Sequence, residues 1–253
     1  MLCSVYQLGR VGYDEVYQLQ MDLLDRRLTD GIGDTLLLVE HPPTITIGKS
    51  GKVENILASQ AELRERGISL FFVDRGGDVT YHGPGQLVVY PIIDLKDRGR
   101  DLHQYIYDLE EVIIRALGDF SIGAVRDKSH RGVWAADKEM AAIGLRVRRW
   151  VTMHGFALNV NTDLDTFSLI NPCGFTDREA ISMAVVLAQE IPMTAVSDRI
   201  LARFSEVFNA EMRLFQNRTK LSSDDVGRDL LRQTNLATLV RDKTHERQAT
   251  TLV

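Results

Sequence analysis

Two apolar stretches, GVWAA (132–136) and EMAAIGLRVRRW (139–150), are separated only by Asp137 and Lys138. Two residues close a hairpin, whereas a parallel strand pair needs a crossover of about a dozen residues or more. That spacing excludes a purely parallel sheet and requires mixed or antiparallel pairing. Further strand patterns occur at LCSVYQL (2–8), TLLLVE (35–40), TITIG (44–48), SLFFVD (69–74), AVRD (124–127) and FALNVN (156–161). Each is apolar or alternating and is bounded by turn-forming residues. Helical spacing predicts helices over 13–28, 54–67, 102–117 and 194–212. Asp101 is placed to cap the third and Gly118 to stop it. Strands and helices alternate without a strict βαβ rhythm. The expected class is therefore α/β (α+β), with mixed sheets flanked by helices.

Of the 253 residues, 44% are hydrophobic, which is enough for a sizeable core. The apolar patterning fades past about residue 214, where Asp, Arg, Ser, Thr and Gln dominate. This divides the chain into an expected folded domain over 1–212 and a polar extension over 213–253, with a weak helical pattern at 224–240. The net charge of −5 argues against a nucleic-acid partner. No apolar run approaches the ~18 residues of a membrane span, and the N-terminus does not read as a signal peptide. Cys3 and Cys173 are too few for a disulfide framework. These features predict a soluble, cytoplasmic protein. Arg126, Lys128, Arg131, Arg146, Arg148 and Arg149 form a local basic cluster, either a solvated face or a docking surface.

Special residues concentrate in RGGDVTYHGPGQLVVYP (75–91). Gly76-Gly77 and Gly83-Pro84-Gly85 are two backbone bends that allow a ligand to approach the main chain. Thr80, Tyr81 and His82 lie between them, and Arg75 precedes them. This pattern fits a binding site better than two ordinary turns. It is not a P-loop, because no Gly-Lys-Ser/Thr follows. In INPCGF (170–175), Cys173 lies between Pro and Gly on an expected tight turn. A nucleophilic thiol needs its pKa lowered by a nearby cation or base. His82 and His154 sit in Gly-flanked polar settings and are candidates for that role or for structural hydrogen bonding. The six histidines show no ligand spacing and no CxxC occurs, so no metal site and no cofactor is expected.

The blocks EHPPTITIG, RGGDVTYHGPGQLVVYPIIDL, GVW, AAIGLRVRRWVTMHGFALNVNTDL and INPCGF, in this order and spacing, resemble the octanoyltransferases of lipoate biosynthesis over roughly residues 1–212. The resemblance implies the fold of biotin and lipoate protein ligase catalytic domains. It implies transfer of an octanoyl (or lipoyl) group from acyl carrier protein to a lysine of lipoyl domains. Those domains belong to 2-oxoacid dehydrogenases and to the glycine cleavage H protein. It implies Cys173 as the acyl-accepting cysteine. It further implies substrate contacts from Arg75, Gly76, Gly77, Asp78, Val79, Thr80, Tyr81 and His82, from Ala142, Ile143 and Gly144, and from Gly155, Phe156 and Ala157.

One position departs from the family pattern. The family carries an essential lysine five residues before the glycine of its AAIG-like block, and here that position is Glu139, with Lys138 beside it. Neighbouring strand residues point to opposite faces, and a carboxylate near the thiol would raise its pKa. Either a bulge or a longer turn near Asp137 shifts the hairpin so that Lys138 reaches the site, or Glu139 faces it. The mechanism implied is thiolate attack, an acyl-enzyme, an oxyanion held by backbone N–H groups near Gly76-Gly77 or Gly144, and Lys138 or His82 as base. An apolar tunnel would draw on about 0.8 kcal/mol per methylene, on the order of 5 kcal/mol for the chain. Arg146, Arg148 and Arg149 are the expected docking region for the acidic carrier. An ATP-dependent lipoate ligase on the same fold and a non-catalytic binding protein are the alternatives.

Overall fold

The continuous apolar run Asp34–Glu40 forms strand β2, buried on both faces, and the main sheet is built around it. The computed structural model describes residues 1–29, 31–127, 130–171 and 179–215. Beside β2 lie β1 (Leu2–Arg10), parallel to it, and β6 (Gln86–Ile92), antiparallel. The sheet continues through β10 (Val151–Asn159), β9 (Lys138–Arg148), β8 (Val133–Ala135) and β7 (Val125–Arg126), all antiparallel. On its other edge β11 (Glu211–Phe215) pairs parallel with β1. A smaller sheet holds β3 (Thr44–Ile47) between β4 (Ser69–Phe72), parallel, and β5 (Val79–His82), antiparallel.

Alternation in β2 divides the core. Leu36 and Leu38 face α3 (Leu102–Gly118) and α5 (Met193–Phe208), while Leu37 and Val39 face α1 (Tyr13–Leu28). On α3, Leu109, Val112, Ile113 and Ala116 are buried, as the spacing predicts, and Asp101 accepts from the His103 and Gln104 N–H groups. The mixed sheets flanked by helices thus match the expected class.

Three local expectations are corrected. The helix expected over 54–67 is a 3₁₀ turn at Val53–Asn55 followed by α2 (Gln60–Glu65). Ser59 starts α2 afresh by accepting from the Glu62 N–H. The helix expected to reach 212 stops at Phe208, because Asn209 is left-handed (φ 46°). The chain then enters β11, which runs past residue 212. The strand expected at 156–161 starts five residues earlier, at Val151, after a second two-residue hairpin. Its turn residues, Arg149 (φ 48°) and Trp150 (φ 72°), are the positive-φ pair such a turn requires. A short α4 (Met183–Leu187) precedes α5. Among the described residues no helix is long and apolar enough to cross a membrane.

Candidate active site

The two halves of the AAIG…HGFA block meet residue for residue. Gly144 pairs with Gly155, Ile143 with Phe156 and Ala142 with Ala157 across β9 and β10. The glycines are required by what lies over them. A Cβ on Gly155 would stand 2.0 Å from the Val89 carbonyl oxygen, and one on Gly144 3.1 Å from Arg75 Cδ and the Gly76 oxygen.

The loop beginning at Arg75 crosses this bare patch. Gly76 N–H donates to Leu145 O at 2.8 Å, tying the loop to β9. From the other side Lys49 and Ser50 N–H donate to Arg75 O (3.0 Å) and Gly77 O (3.1 Å). Arg75 itself is buried. Its Nε and Nη2 donate to Thr46 Oγ1 at 3.2 and 2.9 Å, and Nη2 also to Thr46 O at 2.8 Å. The Arg75-Gly76 segment therefore joins the two sheets, the arginine side chain holding Thr46 of the small one and the Gly76 N–H holding Leu145 of the main one.

Two adjoining cavities flank the loop. The smaller, about 90 Å³, is lined by Arg75–Thr80, His82, Ala142–Gly144 and Gly155–Ala157, together with Tyr13, Tyr90, Glu139 and His154. Of the sequence-predicted contacts only Tyr81 is absent from its lining. As the alternate residue on β5, it packs into the small-sheet core against Phe167. The larger cavity, about 1280 Å³, shares Gly76, Gly77, Arg131, Glu139, Ile143 and Gly144 with the smaller and extends past Trp134, Lys138 and His130. Cys173 lies outside the described residues. The described residues on either side of its segment, Asn171 and Glu179, both line the larger cavity.

A bulge interrupts the β8–β9 hairpin. Ala135 pairs with Lys138 and Trp134 with Glu139, but Val133 pairs with Ala141, so Met140 is the extra residue. Met140 and Ala141 are consequently both buried in the α3–α5 core. The bulge turns Glu139, beside Trp134, to the cavity face. A bulge near Asp137 is what a shifted hairpin calls for, and with it both Glu139 and Lys138 border the larger cavity, while Cys173, against which the two alternatives are defined, lies outside the described residues. Lys138 still borders the larger cavity, where its amine is ion-paired with Glu179.

His82 is neutral in the native state. Burial, with a further contribution from His41, lowers its pKa to about 3. Its Nδ1–H donates to Gln86 Oε1 at 2.8 Å, and Gln86 is itself oriented by donating to Tyr81 O and Asn159 Oδ1. Nε2 is therefore the acceptor nitrogen. Tyr13 stacks on His82, and His41 accepts at Nε2 from Tyr90 Oη at 2.9 Å. Burial lowers His41 to about 4. His154 is left-handed (φ 57°), bonded through Nε2 to Asp74 Oδ1 at 2.9 Å, and lowered by burial. The same bond, with Arg146, holds the Asp74 carboxyl below its ordinary range.

The arginines expected to dock a carrier are partly committed elsewhere. Arg146 is paired with Asp74, and Arg148 with Asp25 at 2.7 Å, both toward α1. Sequence reasoning did not single out Tyr13 and Tyr90, whose helical and strand spacing reads as core, nor Asp74, Trp134 and His130.

A small sheet is thus held by a buried arginine over a glycine-bared hairpin, with two adjoining cavities that share Gly76 and Gly77 of the loop between them. The profile of the lipoyl protein ligase A/B catalytic domain matches residues 13–205. An octanoyltransferase of Desulforamulus reducens is 42% identical over 230 residues, covering 90% of this chain and all of that one. Those of Caldicellulosiruptor saccharolyticus (46% over 215 residues, 84% and 92% covered) and Solibacter usitatus (47% over 210, 83% and 94%) are similarly close. The chain belongs to the octanoyltransferase family within that catalytic-domain class. Its fold is shared with a putative lipoate protein ligase of Thermoplasma acidophilum, at a TM-score of 0.69 and 17% identity with 92% and 95% of the chains covered. A lipoate-protein ligase A bound with ATP superposes at 0.70 and 17%, with 91% and 94% covered.

Proposed function

We propose that this chain transfers an octanoyl group from acyl carrier protein to a lysine of a lipoyl domain, by way of a thioester on Cys173. The observation that carries the reading is the convergence of four of the five family blocks, all but EHPPTITIG, on two joined cavities. Cys173 is two residues from Asn171 on the wall of the larger, a span of about 7 Å at most.

The donor thioester enters the larger cavity and its acyl chain extends toward the smaller, over Ile143, Phe156 and Ala157. Buried methylenes contribute about 0.8 kcal/mol each. The Cys173 thiolate attacks the carbonyl, the C–S bond to the carrier breaks, the carrier leaves as its thiolate and takes a proton from solvent, and the acyl-enzyme forms. Lys138 and Arg131 supply positive charge on the larger cavity's wall. The acceptor lysine then takes the acyl group as an amide. No ATP is consumed, because the thioester is already activated.

Intact-mass measurement after mixing with octanoyl carrier protein is expected to show one octanoyl adduct, mapped to Cys173 and lost in Cys173→Ala. Labelling at Cys3, full turnover by the alanine variant, or product formed only from free octanoate plus ATP would refute the reading.

A further inference from the structure

An acyl-enzyme gives an amide only if the incoming lysine, an ammonium at neutral pH with an ordinary pKa near 10.4, loses two protons. The group that receives the second must border the larger cavity, where the reading above puts the thioester. Lys138 does not serve, since its ammonium donates to Glu179 and has no lone pair to offer. His82 lines the smaller cavity, and burial makes it too weak a base. Glu139 is a carboxylate, and carboxylates are ordinarily about two pKa units less basic than imidazole.

His130 fits. It lines the larger cavity on the loop between β7 and β8. Its Nδ1–H donates to Asp127 Oδ1 at 3.1 Å, and its backbone N–H donates to the same oxygen at 2.9 Å. One carboxylate thereby fixes both the backbone and the ring, and makes Nε2 the basic nitrogen. The ring meets Trp134 edge-on at 6.3 Å. The loop is anchored at both ends. The Gly132 N–H donates to Glu110 Oε1 at 3.2 Å, and Glu110 pairs with Arg126 at 3.2 Å, which lies over the Tyr107 ring. The charged groups sharing the cavity are Arg66, Arg131, Lys138, Glu139, Asp165 and Glu179.

We propose that His130, oriented by Asp127, is the general base for acyl transfer to the acceptor lysine. The proposal rests on the thioester reading above. One proton of the ammonium passes to solvent before attack. The amine nitrogen then bonds to the carbonyl carbon, its second proton goes to His130 Nε2, and the C–S bond breaks to release the Cys173 thiolate. Imidazolium returns its proton to solvent, closing the balance.

The test separates the two half-reactions of the full chain by rapid quench and intact mass, with octanoyl carrier protein as donor and an apo lipoyl domain as acceptor. In His130→Gln the acylation burst persists while transfer from acyl-enzyme to lysine slows by about 10²-fold or more. The dependence of the transfer rate on pH differs from the parent's. In His130→Ala, added imidazole restores transfer. Asp127→Asn slows transfer less than His130→Gln does. Transfer by His130→Gln at the parent rate and pH dependence would overturn the proposal. So would equal loss of both half-reactions without imidazole rescue, which marks a structural role. No acyl-enzyme in the parent chain would instead refute the thioester reading, and this base with it.

Discussion

Replacing Thr46 by valine tests whether Arg75 clamps the two sheets. Thr46 is fully buried in β3, and its hydroxyl accepts from Arg75 Nε at 3.2 Å and Nη2 at 2.9 Å. Valine keeps the shape and the strand preference but removes the acceptor. Nη2 retains the Thr46 carbonyl at 2.8 Å, whereas Nε loses its Thr46 partner. A hydrogen bond to a charged group contributes about 1.5–3 kcal/mol, and water cannot replace it at a site this buried. Thr46→Val is therefore expected to lower unfolding free energy by about 2 kcal/mol, read as a lower urea midpoint at unchanged m-value. Because Arg75, Gly76 and Gly77 line the smaller cavity, the KM for the acyl donor is expected to rise as well. Thr46→Ser retains the hydroxyl and is expected to recover most of both. A Thr46→Val protein within about 0.5 kcal/mol of the parent, with unchanged KM, would show that the clamp is held by other contacts.

Gly155→Ala places a methyl 2.0 Å from the Val89 oxygen and 2.7 Å from Pro91 Cδ, so β10 and β6 must separate. A loss of about 3 kcal/mol or more is expected, and a melting temperature within about 2 °C of the parent would contradict it. His41 and His82 are neutral in the native state, with pKa lowered to about 4 and about 3, while the unfolded chain binds their protons near 6.5. Below pH 6.5 the unfolded state holds more protons, so stability falls with pH by up to about 1.4 kcal/mol per unit for each histidine. Urea titrations between pH 7 and 5 check this: a flat profile contradicts it, and His41→Gln should reduce the slope. Glu139→Lys, which places a cation on the cavity face, is expected to speed alkylation of Cys173 at neutral pH, and Lys138→Ala, which removes a cation from the rim, to slow it by a smaller factor. A larger effect of Lys138→Ala than of Glu139→Lys would make Lys138 the residue facing the thiol.

The architecture was legible wherever periodicity is unambiguous. The stripe on α3 and the double-sided run of β2 each allow one solution, and the β8–β9 hairpin was legible except for its turn, which is Ala136-Asp137 with Lys138 already in β9 rather than Asp137-Lys138. The errors fall where a single residue overrides a pattern. Ser59 re-caps a helix that periodicity reads as continuous, and Asn209 ends α5 in a conformation that spacing does not encode. The Arg149-Trp150 turn was hidden for a different reason. Neither residue is Gly or Asn, the usual signals for positive φ, so β9 and the start of β10 read as one strand.

The candidate site was legible as a set of segments, though not as a set of directions. The paired blocks on β9 and β10 and the Arg75 loop were assigned from resemblance, and they do line one cavity; Tyr81 alone is absent from its lining, and alternation on β5 sends its side chain, like that of Val79, into the small-sheet core. The Lys138–Glu139 pair is the harder case. Strict alternation back from Gly144 and Ala142 would put Lys138 on their face and Glu139 on the other. Met140, inserted as the bulge, reverses that parity and sends Glu139 to the cavity beside Trp134. Both side chains then border the same space, with Lys138 held by Glu179 just beyond the segment that carries Cys173. Apolar pattern cannot reveal this, since Met140 and Ala141 are apolar under either register. A lysine displaced by one position along the strand is thus compatible with an active thiol, provided that positive charge reaches it from the rim, where Lys138 and Arg131 lie.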